Sequence, residues 1–490
     1  MLFLKLTTLK ENTFKGIFWS FIDVISGGGI SFIIGIFLAR LLAPSDFGLI
    51  GIVTVFLAFS NIFVDSGFST GLIRKKQCNN TEYNTVFWFN IAISLLIYIL
   101  IFLFASPCAS FFNEIQLKSI IRVLGFAIII DSFSIVQRAV FIRQINFKIQ
   151  AIISLISSLG GGIIGLSLAF HGFGVWSLVL QIITRQSLQS CLLWYFSMWS
   201  PSLNFSLKAF HELFNFGSKI LLSNIIITLQ NNIYYFIIGK FFSSSVLGYY
   251  TRAEQFNSIV TNSLTGTMDR VFFPVLATLQ DNEERLKNAL KRTLISSFFI
   301  SYLILMVMAI YAKSIIYFLI GPKWNQSVIY LQLFCIGSIF YPFNVVNANI
   351  LKIKGRSDLI LKLQVIKIIL TITNLIIGIL WGISALLLSR IFTTLFATII
   401  NSLYSGKLIG YQIMQQLKDI FPYFRSESII LLVMFGFSLM PINSTVKLFL
   451  GIISGAILFY YFFETKRHYE YIEIKSMIYK FIKRNNQEEL

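Results

Sequence analysis

Apolar residues run along this chain in long blocks with short polar breaks, instead of the residue-by-residue alternation of half-buried strands. A bilayer core of about 30 Å takes roughly 20 apolar helical residues to cross. The blocks predict about fourteen spans, at 17–38, 47–66, 85–105, 119–137, 149–170, 174–195, 213–239, 248–277, 294–320, 327–350, 363–380, 383–404, 428–440 and 448–463. The last two are the shortest. The seventh and eighth carry polar residues, which predicts helices that run past the bilayer. Gly266 deep in the eighth and Pro274 near its end predict a kink. The expected fold class is an all-α polytopic membrane protein.

The pattern repeats. Ala39-Arg40-Leu41-Leu42-Ala43-Pro44-Ser45-Asp46-Phe47-Gly48 returns 200 residues later as Gly239-Lys240-Phe241-Phe242-Ser243-Ser244-Ser245-Val246-Leu247-Gly248. Phe133-Ser134-Ile135-Val136-Gln137 matches Phe343-Asn344-Val345-Val346-Asn347 at 210, and Gly174–Leu180 resembles Gly382–Leu388 at 208. Three matches in one order near one offset predict two six-helix lobes. An even helix count keeps the copies in one orientation, related by a pseudo-two-fold along the membrane normal. The expected organisation is an N-terminal segment 1–16, an N-lobe 17–205, a C-lobe 206–410, two further helices in 411–463 and a charged tail 464–490.

Composition agrees with that picture. The 490 residues are 56% apolar and only 12% charged, against about 25% charged in soluble domains. A soluble enzyme, a disordered chain and a disulfide scaffold are excluded. The net charge of +19 reads as positive-inside bias; there is no polar basic stripe with interleaved aromatics, so nucleic acid is not expected as a partner. Most basic residues fall on the side of the N-terminus, while the opposite loops hold Arg40, Lys118, Lys240, Lys323 and Lys447. That asymmetry predicts both termini in the cytoplasm. The basic start is followed by an apolar run too long for a cleavable signal, with no small-x-small site. Cys78, Cys108, Cys191 and Cys335 have neither metal nor redox spacing, and the last two read as small core residues. His171, His211 and His468 are scattered, so neither a metal site nor a catalytic residue is expected, and no cofactor.

The chemistry lies in charges within the spans. A charge at mid-bilayer costs roughly 2.5–3.5 kcal/mol on insertion scales and usually faces a polar cavity or a partner. Arg185 and Arg390 are deep in the last helix of each repeat, about one helical turn from equivalence, and guanidinium pairs bidentately with phosphate. They are the first candidates for binding an anionic substrate, unless Arg185 pairs with Asp131. Lys219 and Arg252 are further candidates, and Gln230, Asn231 and Asn232 form a possible polar girdle for sugar hydroxyls, with Tyr234, Tyr235, Tyr249 and Tyr250 nearby. The girdle could equally serve interhelical hydrogen bonding. Asp23, followed by Gly27-Gly28-Gly29, and Asp65, Asp131 and Glu254 are candidates for ion coupling. Arg74, Lys75, Lys76, Arg138, Arg143, Lys354 and Arg356 gather at the interior mouth, where they either collect an anionic headgroup or meet anionic membrane lipids.

Several stretches carry a family resemblance. Gly321-Pro322-Lys323-Trp324, Phe340-Tyr341-Pro342-Phe343, Lys354-Gly355-Arg356-Ser357-Asp358 and Leu247-Gly248-Tyr249-Tyr250-Thr251-Arg252-Ala253 resemble the second half of polysaccharide-unit exporters. Leu38–Gly48 and Thr85-Val86-Phe87-Trp88-Phe89-Asn90 resemble their first half. These are the O-antigen and colanic-acid type of lipid-linked oligosaccharide flippase, in the multidrug/oligosaccharidyl-lipid/polysaccharide exporter superfamily, and the resemblance covers roughly residues 10–420. It implies two lobes and alternating access in a bacterial inner membrane. It also implies an undecaprenyl-diphosphate-linked repeat unit as substrate, H+ or Na+ coupling, and a polymerase and glycosyltransferases as pathway partners. Drug or cation antiport in the same superfamily is the nearer alternative; a membrane polymerase or ligase is the enzyme alternative and would want a large outer loop.

Overall fold

The computed structural model describes residues 28–466 except Lys76, Ile145 and Met198, and at 270, 271, 357, 445, 462, 463, 465 and 466 the backbone alone. Asp23, Gly27, Lys76, His468 and the segments 1–27 and 467–490 lie outside the described residues. The described chain is helical throughout, with no strand. In order, α1 is Gly28–Leu41, α2 Pro44–Asp65, α3 Phe68–Arg74, α4 Asn80–Phe112, α5 Gln116–Ser132, α6 Ile135–Arg143, α7 Phe147–Phe170, α8 Val175–Phe196, α9 Leu207–Phe241 and α10 Ser244–Thr267. A π-helical turn, Met268–Phe272, leads into α11 Phe273–Ala277. Then come α12 Glu283–Ile310, α13 Ala312–Leu319, α14 Asn325–Ser338, α15 Tyr341–Ile353, α16 Ser357–Trp381, α17 Ile383–Ile409, α18 Ile413–Leu439 and α19 Ser444–Lys466.

Within the described residues every expected span falls on a helix or on consecutive helical segments. Eight helices are each long and apolar enough to cross a membrane: α2, α4, α7, α9, α12, α16, α17 and α18. Two pairs, α5 with α6 and α14 with α15, each bend by 41° and would bring the number to ten. The other four expected spans fall short for separate reasons. α1 is described only from residue 28, α8 and α10 are more polar, and the apolar part of α19 is only Val446–Tyr461. At the expected kink of the eighth span, a π turn stands just ahead of Pro274, a register slip of the kind found at helix bends.

Local sequence sets the helix starts. Asn79 and Glu82 cap α4 reciprocally, with Asn79 N–H donating to Glu82 Oε2 at 3.1 Å. At α2 only one half of that exchange exists, Asp46 accepting from Ala43 N–H at 3.0 Å behind Pro44 at the first helical position. Asn282 accepts from Arg285 N–H at 3.0 Å and opens α12 beside Glu283 and Glu284.

The chain forms two compact units, one ending at Thr251 and the other beginning at Arg252. The first packs Phe68, Leu72, Phe87, Val136 and Leu213 with Trp194 and Trp199 against them. The second is built on Phe298, Tyr302, Phe343, Ile350 and Leu431 between α12, α15 and α18. Many large side chains stay outside both cores, such as Leu103, Ile163, Leu361 and Ile369, each more than half exposed. A chain in water would bury such residues; a bilayer solvates them.

The repeat is visible in the backbone. The turn joining α1 to α2 at Leu42–Ala43 recurs 200 residues on between α9 and α10, with the same helix ends (Leu41 and Phe241, Pro44 and Ser244). The two bent pairs correspond as well: α5 and α14 end at 132 and 338, α6 and α15 begin at 135 and 341. The offset there is 206, four short of the 210 suggested by residue matching, so the shared feature is the bend. Gly174 and Gly382, 208 apart, each start a helix with positive φ (+54° and +90°), where a Cβ would be strained.

Within the first unit the two related hairpins touch. A Cβ at Gly48 would stand 1.7 Å from Ser244 O, and one at Gly248 would stand 1.8 Å from Pro44 O. Adding 200 exchanges Pro44 for Ser244 and Gly48 for Gly248, so the contact is reciprocal, as a two-fold demands. At the other end of α2, Gly67 (φ +74°) and Gly217 also approach closely: their Cβ atoms would meet Gly217 O at 2.5 Å and Ser66 O at 2.6 Å. The α9–α10 hairpin is thus held to α2 at both ends by backbone-to-backbone contacts that only glycine allows, through α10 at one end and α9 at the other.

Candidate functional site

In the first unit, Arg185 is the central cation. It lies about 15 Å along α8 from either end, at 1.5 Å per residue. α7 presents Gly160, Gly161, Gly162 and Gly165, and a Cβ at Gly161 would be 2.8 Å from Arg185 Cβ. Gly160, Gly161 and Gly165 bring α7 against α8 and hold the Arg185 stem on a wall of small residues, while Gly162 faces Ile34 of α1. Arg185 Nη1 donates to Ser31 Oγ on α1 at 3.0 Å. Among the described residues no carboxylate pairs with it. The expected alternative, pairing with Asp131, is not what forms: Asp131 accepts from Arg138 Nη2 at 3.1 Å and from Ser134 Oγ at 3.4 Å.

α9 carries the remaining candidates of this unit. Lys219 and Asn231 are exposed, Gln230 is half-buried, and Asn232 donates to Thr228 O of its own helix at 2.9 Å. Successive residues point about 100° apart, so the three amides do not form one girdle. A polar row does exist, with Asn215, Lys219, Ser223 and Gln230 on one face at spacings of 4, 4 and 7; the first three are exposed. Tyr234 and Tyr250 are packed inside, and Tyr235 meets Tyr250 edge-on at 6.0 Å, so Tyr234 and Tyr250 offer no free face to a sugar. Asp65 accepts from Ser69 N–H at 3.1 Å and from the Ser69 hydroxyl.

The second unit treats its arginine differently. Arg390 on α17 donates to Glu254 Oε1 on α10 through Nη1 and Nη2, at 3.2 and 3.3 Å, and lies 5.1 Å over the Phe334 ring. A residue expected to bind substrate and one expected to couple ions therefore form one ion pair. Arg252 donates to Gln255 Oε1 at 2.5 Å. Asp269, on the π turn, is 3.8 Å from Lys352 Nζ and accepts from Asn349 at 3.5 Å.

The cations expected at the interior mouth are largely engaged. Lys75 bridges Glu82 at 2.5 Å and Glu212 at 2.8 Å. Those hydrogen bonds, Glu212's foremost, hold its ammonium above the ordinary lysine range. Arg143 donates to Leu72 O, to Lys75 O at 2.6 Å and to Cys78 Sγ at 3.1 Å. Arg74 lies 4.3 Å over the Phe216 ring, and Arg138 belongs to Asp131. In the second unit Lys354 donates to Gln280 O at 3.0 Å, and Arg356 forks onto Asp358 at 2.8 and 2.6 Å. Cys335 is buried as expected; Cys191 is exposed, because α8 turns that side away from the core.

Two features escaped the sequence. Glu427 is fully buried on α18, and among the described residues neither oxygen has a hydrogen-bond partner. It stands one residue outside the expected span 428–440. The other is a polar network joining α15, α17 and α18. Asn347 exchanges hydrogen bonds with Gln416 (3.1 Å each way) and meets Ser402 at 3.1 Å and Ser405 at 2.5 Å. Asn344 donates to Thr398 at 2.6 Å and accepts from Asn401 at 2.9 Å. Neutral amides spread over three helices leave no charge pattern to notice. Among the described residues no group of three or more His, Cys, Asp or Glu side chains converges on a metal position.

Comparison with known proteins adds a family. Residues 37–329 match the family described as polysaccharide biosynthesis protein. The lipopolysaccharide biosynthesis protein WzxC of Escherichia coli K12 is 24% identical over 373 residues, 76% of each chain. The succinoglycan biosynthesis transport protein ExoT of Rhizobium meliloti is 27% identical over 286 residues, 58% of each chain. Among solved structures, the lipid II flippase MurJ in an inward closed conformation has a TM-score of 0.72 at 14% identity, over 92% of this chain and all of that one. An inward-facing MATE multidrug transporter of the MOP superfamily has a TM-score of 0.62 at 15% identity, over 81% of this chain and 98% of that one. These likenesses show that the fold is that of polytopic helical transporters.

Proposed function

The chain belongs to the polysaccharide biosynthesis protein family, and from that membership we propose that it is a flippase for undecaprenyl-diphosphate-linked oligosaccharide repeat units. It moves them from the cytoplasmic to the periplasmic leaflet of a bacterial inner membrane for O-antigen or exopolysaccharide synthesis. The observation that carries the reading is Arg185: a guanidinium at mid-span, supported on a glycine wall, with a hydroxyl and, among the described residues, no carboxylate beside it. Such a cation is expensive in a bilayer unless an anion meets it, and a diphosphate is the anion this substrate supplies. The polar row on α9 suits the glycan.

Alternating access needs two arrangements of related halves. Within the first unit the reciprocal Gly48–Gly248 contact joins the two related hairpins on the side of the α1–α2 turn, which we take as the periplasmic side, with both termini cytoplasmic. Glu254 is the favoured site for H+ or Na+ coupling, because losing its charge releases Arg390 for the diphosphate; Asp131, Asp65 and Asp23 stay secondary. Arg390, Arg252 and Lys219 join Arg185 in binding, and Arg74, Lys75, Lys76, Arg138, Arg143, Lys354 and Arg356 hold the cytoplasmic mouth. The six-helix lobes 17–205 and 206–410 remain the units of the motion. A glycosyltransferase upstream and a polymerase downstream would supply and consume the substrate.

The alternatives are weaker. A cationic drug wants an unpaired carboxylate on its path, whereas two of the candidate carboxylates, Asp131 and Glu254, are paired with arginines. A polymerase or ligase wants a large outer loop, whereas the described connections on the proposed periplasmic side run one to five residues. The test is reconstitution. Vesicles holding the protein and the undecaprenyl-diphosphate-linked repeat unit should expose inner-leaflet glycan to an impermeant modifying reagent, and vesicles with Arg185→Glu should not. Equal exposure with and without the wild-type protein would refute the reading.

A further inference from the structure

The first unit contains a cavity that the polar chemistry above does not use. It has a volume of about 600 Å³ and lies between α2, α4 and α9. Such a volume falls within the roughly 300–1,000 Å³ of ligand sites. Its wall is aromatic and branched aliphatic, with Phe56, Phe59, Phe63, Ile97, Ile101 and Ile233 prominent. The one hydroxyl there, Ser60, is spent on Phe56 O at 2.7 Å. Water entering would find no partner, and cavities of this kind stay dry or take apolar ligands. The cavity is not sealed, since Phe63, Leu100 and Leu229 on its rim are each more than two-fifths exposed.

Its two ends differ. Towards the α9–α10 turn it is capped by rings packed edge to face, with Phe112 5.3 Å from Phe236 and 6.3 Å from Phe56. One helical turn past Phe236 stands Lys240, 4.2 Å over the Phe111 ring, with Nζ donating to Phe111 O at 2.5 Å. An ammonium has three donors, and that carbonyl takes one. An apolar slot with a cation one turn beyond its end is the shape of a site for a chain that carries a phosphate. At the other end the Gly67–Gly217 approach closes α2 on α9.

We propose that this cavity is the binding site for the isoprenoid tail of the transported lipid, with its phosphate end at Lys240 when the tail is seated and at Arg185 at an earlier stage of its passage. The inference rests on the flippase reading, which supplies a polyprenyl chain. Methyl-branched isoprene units fit walls of Phe and Ile rings and branches better than a straight acyl chain does, because contact energy depends on filling the gaps. The polar row Asn215, Lys219, Ser223 and Gln230 runs along the same helix. α9 is then the partition of the substrate, serving the tail on the α2–α4 side and the glycan on its polar row.

Photo-crosslinking in membranes tests the assignment. A benzophenone amino acid is placed at Ile97, at Ile101 as a second position in case the first fails to insert, and at exposed Leu361 of the second unit as a control. Adducts are read by mass spectrometry. A polyprenyl-phosphate adduct at 97 or 101 and not at 361, lost when Ile233→Trp fills the cavity, is the expected result. Lys240→Glu should lower its yield by about fivefold, the equivalent of the roughly 1 kcal/mol a basic residue gives near an anionic headgroup. Phospholipid adducts only, no lipid adduct, or equal polyprenyl yield at 361 would overturn the proposal. The two readings separate cleanly: vesicles that flip without a polyprenyl adduct sink the tail site alone, and an adduct without flipping sinks the transport function alone.

Discussion

Replacing Gly48 by alanine adds one methyl group where the two related hairpins cross. The methyl carbon would stand 1.7 Å from Ser244 O and 2.5 Å from Ser244 C. Ordinary contact needs about 3.4 Å, and the obstacle is backbone, so the hairpins must part by about 1.7 Å. Overpacking of this kind costs roughly 1–3 kcal/mol. Charged against the arrangement in which the hairpins touch, that is a shift of about 5–150-fold in its population. Gly51→Ala, one turn along, is the built-in control. Its methyl would meet only the side chains of Leu247 and Thr251, each at 3.3 Å, and side chains can yield. The readout is a cysteine at Leu247, fully buried at this crossing, labelled with an impermeant maleimide from the periplasmic side. Labelling should rise at least about fivefold in Gly48→Ala and hardly at all in Gly51→Ala, and export should fall only in the former. If the two alanines label and export alike, the crossing is not a closed gate and the reasoning fails.

Three more expectations follow from the charges. Arg185→Glu should insert and fold yet abolish export, with Arg185→Lys retaining part of it, read as surface polysaccharide per unit of membrane-inserted protein. Glu254→Gln and Arg390→Gln should each lower thermal stability in detergent more than the double substitution does, since one partner alone leaves a half-buried charge or amide uncompensated; additive losses would deny the pairing. Glu427→Leu should keep or raise the melting temperature, because an unpartnered buried polar group costs roughly 1–3 kcal/mol and an apolar replacement removes that cost; a clear drop would mean that Glu427 has a partner.

Much of the fold was legible because the bilayer enforces a simple rule. A span must be helical and apolar for about 20 residues, so block length alone located every helix from α2 to α19 that crosses. The bends at 133 and 340 were hidden, since neither carries a proline in the preceding helix and the residues match better four positions away. The repeat was readable at the Arg40 and Lys240 turns for a physical reason: the glycines at 48 and 248 are where the copies meet, and their spacing cannot drift. The site was legible only in part. Charge marked Arg185, Arg390 and Glu254, but which charges pair depends on helix rotation, and one-dimensional spacing does not contain it. Asn347 and Gln416, 69 residues apart, find each other only once α15 packs on α18. Glu427 was missed for a simpler reason: the apolar block that marked its helix begins at 428, whereas α18 begins at Ile413.

The central claim is that this chain carries a lipid-linked glycan across the membrane. The most direct measurement is made on a strain lacking it. The undecaprenyl-diphosphate-linked repeat unit is quantified in spheroplasts, and its leaflet is found with an impermeant glycan-modifying reagent. The account predicts that intact repeat units accumulate in the cytoplasmic leaflet, out of the reagent's reach, and become accessible when the wild-type chain, but not Arg185→Glu, is restored. Repeat units that reach the outer leaflet normally in its absence would contradict it.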